Sequence, residues 1–200
     1  METTIENIVN AVYEGHFALV DNFVKDAEVT LLRQKLELLE KNKQLKQAGI
    51  GNKTDYLTNT EIRSDAISWL EKDDAFINTI FFSKIDELQL QLNRRLYLGL
   101  NDHEFHFAFY KPGSFYKKHR DAFKSDDARK ITVILYLNSN WQKTDGGELQ
   151  LYLENGDCMQ IEPLAGRLLV FESHLEHEVL ESHANRYSIT GWLKNKSRLF

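Results

Sequence analysis

The hydrophobic pattern changes its period near Gly99, and this change constrains the fold more than any other feature of the chain. Before Gly99, apolar residues recur at helical spacing in two long segments that begin at Asp26 and at Asp73 or Asp74. After Gly99, apolar and polar residues alternate over short runs, as they do in half-buried strands. We predict eight strands in this part of the chain: Glu104–Tyr110, Phe115–His119, Lys130–Leu137, Glu148–Leu153, Cys158–Glu162, Arg167–Phe171, Glu176–Leu180 and Arg186–Leu193.

Turn sequences such as Asp145-Gly146-Gly147 and Glu154-Asn155-Gly156-Asp157 separate these short runs. Several short strands at this spacing are typical of a β-sandwich or a jelly roll. The long amphipathic helices would then cover one outer face of a sheet. We therefore predict a mainly β fold with N-terminal helices packed on one sheet.

The part of the chain before Gly99 predicts the elements that support this core. A short helix should end near Tyr13, and Phe17–Phe23 should form a strand. The helix that begins at Asp26 should continue until Gly49-Ile50-Gly51-Asn52 ends it. A polar stretch up to Thr60 predicts a mobile loop, and Ile62–Leu70 is predicted to be extended.

Length and composition bound the class of protein. Two hundred residues, of which 42% are hydrophobic and 12% aromatic, suffice for one domain with a substantial core. We expect a single domain over residues 1–200, with residues 1–100 as a helix-rich support region and residues 101–195 as the jelly-roll core. The net charge of −5 and the pI near 5.8 disfavour nucleic acid as a partner.

Cysteine usage and hydropathy indicate the compartment. Cys158 is the only cysteine, which excludes an internal disulfide and a cysteine-rich zinc site. The N-terminus lacks the pattern of a signal peptide, and no apolar stretch has the length of a membrane span. We therefore expect a cytoplasmic protein that has no membrane partner.

Two histidines and one aspartate form a candidate metal site. His119 and Asp121 lie two residues apart, so in an extended segment their side chains leave the same side of the chain. His177 follows Asp121 by fifty-six residues. Two histidines and one carboxylate are the ligand set of non-haem Fe(II) oxygenases. Taken alone, each residue is more consistent with a structural or surface role, and composition does not rank His177 above His174 or His183.

Arg186 follows His177 by nine residues and shares one face of the last predicted strand with Thr190 and Trp192. An arginine that faces a core needs a partner, and its guanidinium matches a carboxylate in a bidentate fork. Tyr136 could add a hydroxyl donor to the same carboxylate. These residues predict an anionic ligand beside the metal. The alternatives are a strand-end salt bridge for Arg186 and a core aromatic for Tyr136.

Further stretches of the chain carry a family resemblance, and they are Gln47–Gly51, Ile62–Trp69, Tyr110–Gly113, Leu135–Trp141, Gly146–Leu149, His177–Val179 and Arg186–Trp192. Together with the candidate site, they resemble the prolyl hydroxylase branch of the iron- and 2-oxoglutarate-dependent oxygenases. That branch includes the hypoxia-inducible-factor prolyl hydroxylases and their bacterial relatives, which Gln47–Gly51 resembles in particular. The similarity runs from about Phe17 to Lys194.

The resemblance implies a double-stranded β-helix core of the cupin type and a role for each candidate position. Three positions match the catalytic iron ligands: His119, Asp121 and His177. Eight positions match the 2-oxoglutarate pocket: Arg186, Tyr136, Tyr110, Ile134, Leu149, Val179, Thr190 and Trp192. Arg129 matches an arginine that holds the protein substrate, and Ile50–Glu61 matches a loop that closes over it. His174 and His183 then become bystanders.

The resemblance also implies the reaction and the partners. It implies hydroxylation of a prolyl residue, with C4 as the expected position and C3 left open. Fe(II) is the expected cofactor, 2-oxoglutarate and O2 are consumed, succinate and CO2 are released, and ascorbate is a candidate reductant. The expected substrate is a proline in an exposed loop of another protein, and the bacterial relatives point to a translation elongation factor. Three alternatives stay open: a non-catalytic module that senses 2-oxoglutarate or metal, a hydroxylase of small molecules, and a cupin-type metal protein without a cosubstrate.

Overall fold

The fold is described from a computed structural model that covers residues 2–49, 61–72, 74–122 and 127–196. Residues 50–60 of the loop predicted over Ile50–Glu61 lie outside the described residues. In the described part of the chain, no helix is long and apolar enough to cross a membrane.

The helices and strands follow one another in the order helix, strand, helix, two strands, helix and then eight strands. In the first half they are α1 (Glu2–Gly15), β1 (Phe17–Val20), α2 (Asp26–Lys41), β2 (Lys46–Gln47), β3 (Ala66–Trp69), α3 (Ala75–Ile77), a π-helical segment (Asn78–Phe82) and α4 (Ser83–Leu96). In the second half they are β4 (Asp102–Tyr110), β5 (Tyr116–His119), β6 (Arg129–Tyr136), a 3₁₀ turn (Lys143–Asp145), β7 (Leu149–Tyr152), β8 (Cys158–Ile161), β9 (Leu168–Glu172), β10 (His177–Val179) and β11 (Arg186–Lys194).

All eight strands predicted after Gly99 are confirmed, and their ends differ from the prediction by at most two residues. The helix predicted from Asp26 is also confirmed, but its predicted end near Gly49 is wrong. It ends at Lys41 because the polar run that follows offers no apolar face, and Lys43 adopts a left-handed backbone with φ 56°. The strand predicted to reach Phe23 ends at Val20, since Asn22 is also left-handed.

The described strands form two antiparallel sheets. The larger has the order β1-β9-β6-β11-β4-β3-β2, and the smaller has the order β5-β10-β7-β8. Apolar residues from both sheets pack together in one buried cluster, which includes Ile134 and Phe171 of the larger sheet and Leu149 and Ile161 of the smaller. The two sheets therefore face each other, as in the predicted double-stranded β-helix.

The alternation of side chains along β4 separates the core from the space between the sheets. Phe105, Phe107 and Phe109 point to one face and join the large cluster that contains residues of the three long helices, among them Ile8, Leu32, Leu36, Ile85 and Leu88. The alternate residues of β4 point between the sheets. The predicted packing of the N-terminal helices on one sheet is confirmed. That residues 1–200 form a single domain stays a prediction.

Candidate active site

Two neighbouring strands of the smaller sheet bring the candidate metal ligands together. His119 ends β5 and pairs directly with His177, which begins β10. Asp121 follows β5 by two residues, and its carboxylate lies 3.6 Å from Nε2 of His119 and 3.4 Å from Nε2 of His177. One ligand atom from each residue lies within 4.8 Å of the others. Residues far apart in the sequence therefore form one compact group of three metal-binding side chains.

Hydrogen bonds from neighbours orient each member of this group. Nδ1 of His119 lies 2.7 Å from the carbonyl oxygen of Lys117, and Nδ1 of His177 lies 3.1 Å from that of Leu175. A carbonyl only accepts, so both Nδ1 atoms donate and both Nε2 atoms keep a lone pair. These lone pairs lie on the ring side that faces Asp121, where a metal ion would accept them.

Thr132 on β6 orients the carboxylate. Its hydroxyl donates to Oδ2 of Asp121 at 2.8 Å and lies 2.9 Å from the hydroxyl of Ser173. The backbone N–H of Asp121 donates to the carbonyl of Ser173. Thr132, Asp121 and Ser173 are all buried, so this carboxylate is held in place by partners that do not exchange with solvent.

The electrostatics of the group favour the protonation states that bind a cation. Burial acts to raise the pKa of Asp121, but the charges of protonated His177 and His119 outweigh it and hold this pKa well below its usual range. Burial, reinforced by the charge of His119, lowers the pKa of His177 to about 4. At neutral pH Asp121 is therefore a carboxylate and His177 a neutral imidazole, the forms that bind a divalent metal.

One pocket between the sheets contains this group and most of the residues predicted to line it. Its lining residues are Arg63, His106, Ala108, Tyr110, Tyr116, His119, Asp121, Ile134, Leu149, His177, Val179, Arg186, Thr190 and Trp192. Of the predicted positions, only Tyr136 and Arg129 do not line it directly. Tyr136 lies behind Arg186, with its ring centre 5.2 Å from the guanidinium carbon.

Arg186 is buried and has no carboxylate partner among the described residues. Its Nε donates to the carbonyl oxygen of Gly147 at 2.8 Å, and its guanidinium carbon lies 4.9 Å from the ring centre of Tyr110. The hydroxyl of Tyr136 is also buried, faces the guanidinium of Arg186, and makes no hydrogen bond of good geometry in the described part of the chain. Burial raises the pKa of Tyr136 to about 12, so the hydroxyl keeps its proton. A cation and a neutral donor are thus both available to an anionic ligand.

Arg129 lies beside the pocket. Its guanidinium carbon is 3.4 Å from the ring centre of Trp192, and it donates to Glu104 at 2.8 Å. His174 and His183 do not join the metal-binding group, since His174 pairs with Glu154 and Glu172, and His183 contacts the carbonyl of Thr144.

Four lining residues were not predicted: Arg63, His106, Ala108 and Tyr116. The sequence contains a signal for His106 and Ala108, because the alternation of side chains along β4 places both on the same face as Tyr110. Tyr116 stacks on His119, with ring centres 3.5 Å apart. Arg63 pairs with the buried Asp65 and lies over the ring of Tyr116. The contact of Arg63 with Tyr116 comes from a β-bridge between segments far apart in the sequence, which a local sequence pattern does not show.

Two histidines and one carboxylate form a facial ligand set that suits Fe(II) and leaves coordination positions open. That set, in a pocket between two antiparallel sheets and close to a buried arginine, defines the class of Fe(II)- and 2-oxoglutarate-dependent oxygenases. The model of the 2OG-Fe(II) oxygenase superfamily matches residues 105–194 of this chain.

The chain is also similar to prolyl hydroxylases over nearly its whole length. It is 30% identical to prolyl hydroxylase EGLN3 of Mus musculus, over 94% of this chain and 82% of that protein. It is similar to the solved structure of a Pseudomonas putida prolyl-4-hydroxylase, with a TM-score of 0.87 and 34% identity over 96% of this chain and all of the other.

A prolyl hydroxylase from Trichoplax adhaerens, solved in complex with a peptide fragment of the hypoxia-inducible factor oxygen degradation domain, superposes with a TM-score of 0.88. It is 29% identical over 97% of this chain and 90% of the other. The chain belongs to the prolyl hydroxylase family of Fe(II)- and 2-oxoglutarate-dependent oxygenases. Its cofactors are accordingly Fe(II), 2-oxoglutarate and O2, which confirms the prediction.

Proposed function

We propose that this protein hydroxylates a proline in an exposed loop of another protein and that His119, Asp121 and His177 hold its iron. The observation that carries the proposal is the combination of this compact three-ligand group with a buried arginine, Arg186, in one pocket. A metal protein without a cosubstrate would have no use for a buried guanidinium that lacks a carboxylate partner within the described residues.

The residues around the metal-binding group would bind and orient the cosubstrate. Arg186 and Tyr136 would hold the distal carboxylate of 2-oxoglutarate, the first as a cation and the second as a neutral donor. Five apolar or weakly polar residues and one tyrosine would line its path: Ile134, Leu149, Val179, Thr190, Trp192 and Tyr110. When bound, Fe(II) supplies the oxidative chemistry that consumes 2-oxoglutarate and O2, releases succinate and CO2, and hydroxylates a C–H bond.

The protein's own groups hold the geometry of this site. Thr132 keeps the carboxylate of Asp121 facing the two Nε2 atoms, and the backbone carbonyls of Lys117 and Leu175 fix the ring orientations. Most of the pocket lining is buried, which limits the access of bulk water to the reacting groups.

We further propose that Arg129 contacts the protein substrate. It lies beside the pocket, stacked on Trp192, which lines the pocket. Its bonds to Glu104 and its stacking on Trp192 hold the planar guanidinium in one orientation beside the pocket, where it would add a contact to a backbone carbonyl or an acidic side chain of the substrate. The substrate that we favour is a translation elongation factor, in which one proline would be hydroxylated at C4. The reaction would take place in the cytoplasm, because a reducing compartment suits both ferrous iron and the free thiol of Cys158.

Mass spectrometry of a purified elongation factor, after incubation with Fe(II)-loaded protein, 2-oxoglutarate, ascorbate and air, tests this proposal. We expect one proline to gain the mass of one oxygen atom, with succinate formed in equal amount. Arg129→Ala should raise KM for the protein substrate about tenfold and change KM for 2-oxoglutarate much less. The matched control is Arg95→Ala, an exposed arginine of α4 paired with Glu6.

Two results would overturn parts of this proposal. Modification of a residue other than proline would exclude prolyl hydroxylation of this substrate. Modification of a free amino acid, with no protein modified, would replace the protein substrate with a small molecule.

A further inference from the structure

His106 is a buried histidine in the pocket that the metal-binding group does not use. It lies in the middle of β4, and only 1% of it is exposed. Its ring packs against two tryptophans, with centre distances of 5.0 Å to Trp69 and 5.6 Å to Trp192. It shares its face of β4 with Ala108 and Tyr110, which also line the pocket.

Neither ring nitrogen of His106 has a hydrogen-bond partner among the described residues. The two histidines of the metal-binding group differ in this respect, since each donates Nδ1–H to a backbone carbonyl. Buried polar groups in folded proteins are nearly always hydrogen-bonded, and an unpaired one is costly. His106 therefore offers one donor and one acceptor to a ligand bound in this pocket.

The imidazole of His106 is uncharged. Burial lowers its pKa well below the usual value, and the positive charges of Arg63 and Arg129 act in the same direction. A neutral ring carries one N–H donor and one lone pair. It is therefore a directional hydrogen-bonding group and not a second cation beside Arg186.

The position of His106 along the sheet indicates which part of a ligand it faces. In the β4–β11 pair, Arg186 lies opposite Tyr110, and Thr190 lies opposite His106. Four residues of strand, about 13 Å, separate these two rows. A ligand whose carboxylate lies on Arg186 therefore extends its other end toward the metal-binding group and the row of His106.

We propose that His106 binds the 2-oxo-acid end of 2-oxoglutarate through a hydrogen bond from its neutral imidazole. This inference rests on the proposed function, because it assumes that Arg186 holds the distal carboxylate. His106 would act beside the metal ligands as a residue that orients the cosubstrate and favours a 2-oxo acid over a plain dicarboxylate.

Calorimetric titration of 2-oxoglutarate into the Mn(II)-loaded protein tests this assignment, with Mn(II) affinity and the melting temperature of the metal-free protein measured alongside. His106→Leu removes both polar nitrogens at similar size, and His106→Gln keeps one donor and one acceptor. We expect His106→Leu to weaken 2-oxoglutarate binding about tenfold and His106→Gln by about twofold or less. Mn(II) affinity should stay within about twofold of the wild type in both variants.

The melting temperature separates a binding role from a structural one. The metal-free His106→Leu variant should melt at the same temperature as the wild type or higher, since it loses an unpaired buried polar group. A lower melting temperature, or equal loss of affinity in the Leu and Gln variants, would overturn the inference. Unchanged 2-oxoglutarate affinity in His106→Leu would overturn it while leaving the proposed function intact. Failure of the Mn(II)-loaded wild type to bind 2-oxoglutarate would overturn both.

Discussion

At the scale of single residues, the geometry of the candidate metal site depends on neighbours that are not ligands. Thr132 donates to Asp121 and contacts Ser173, and all three are buried. A carboxylate without this donor would keep its charge but lose its orientation relative to His119 and His177. Thr132 is therefore the residue whose effect on the metal can be tested without removing a ligand.

Replacing Thr132 with valine should weaken metal binding about tenfold, since loss of a hydrogen bond to a ligand typically costs ten- to hundredfold in affinity. The shape of the side chain is kept, so the fold should be retained. Competition of Mn(II) or Fe(II) with a coloured chelator measures the change. Thr79→Val, which removes an exposed hydroxyl bonded to its own helix, is the matched control. Equal metal affinity in Thr132→Val and the wild type would contradict this account.

The sequence predicts much of the candidate site but not all of it. His119 and Asp121 are recognisable because they lie two residues apart, and Arg186 because it follows His177 at a short distance. The choice of His177 over His174 and His183 came from resemblance, and the structure supplies the physical reason: only His177 pairs with His119 across two strands. Thr132 and Ser173 carry no local signal, since their contact joins strands that are far apart in the sequence.

At the scale of elements, the pair β4–β11 determines where the pocket lies. Residues of one face of each strand build the helix-covered core, and residues of the other face line the pocket. The two backbones approach closely at Gly191, where an added Cβ would lie 2.2 Å from the carbonyl oxygen of Glu104 and 2.3 Å from the ring of Phe105. The sheet therefore has no room for a side chain at this point.

Gly191→Ala should destabilise the protein by about 2–4 kcal/mol, since a methyl group must displace backbone and ring atoms in the middle of the larger sheet. Chemical denaturation followed by circular dichroism measures the change. Gly15→Ala is the control, because its added Cβ meets only a side-chain atom of Phe17 at 3.8 Å. Equal stability of both variants and the wild type would refute the close approach of β4 and β11 at Gly191.

The elements themselves were largely predictable from the sequence. Alternation of apolar and polar residues located all eight strands of the core, because each strand has one face in a buried cluster and one in contact with the pocket or solvent. The sequence pattern places the end of α2 several residues beyond Lys41, because the left-handed turn at Lys43 has no glycine to mark it. The two-residue strand β2 and the π-helical segment were not predicted, because tertiary packing and not periodicity selects them.

At the scale of the whole molecule, the metal-free protein contains a site that resists protonation. The pKa of His177 lies near 4 in the folded state because of burial and of the charge on His119, against a usual value of 6.5. The unfolded chain therefore binds a proton at His177 more readily than the folded one does. The contribution of His177 to the free energy of unfolding is therefore fully present above pH 6.5 and is lost as the pH falls toward 4.

The metal-free wild type should accordingly lose about 1–2 kcal/mol of unfolding free energy from His177 between pH 7 and pH 5. His177→Gln should show a smaller loss over this interval than the wild type. Denaturant titrations at fixed pH values give these free energies. The same pH slope in the wild type and in His177→Gln would show that His177 is not protonated on unfolding in this range.

The most direct test of the central claim is the formation of succinate and hydroxyproline by the Fe(II)-loaded protein, with Asp121→Ala as the comparison. The wild type should form both products in equal amounts from 2-oxoglutarate, O2 and a proline-containing protein substrate. Asp121→Ala should form neither product while remaining folded. Substrate-dependent succinate formation by Asp121→Ala at the wild-type rate would contradict the assignment of His119, Asp121 and His177 as the iron site.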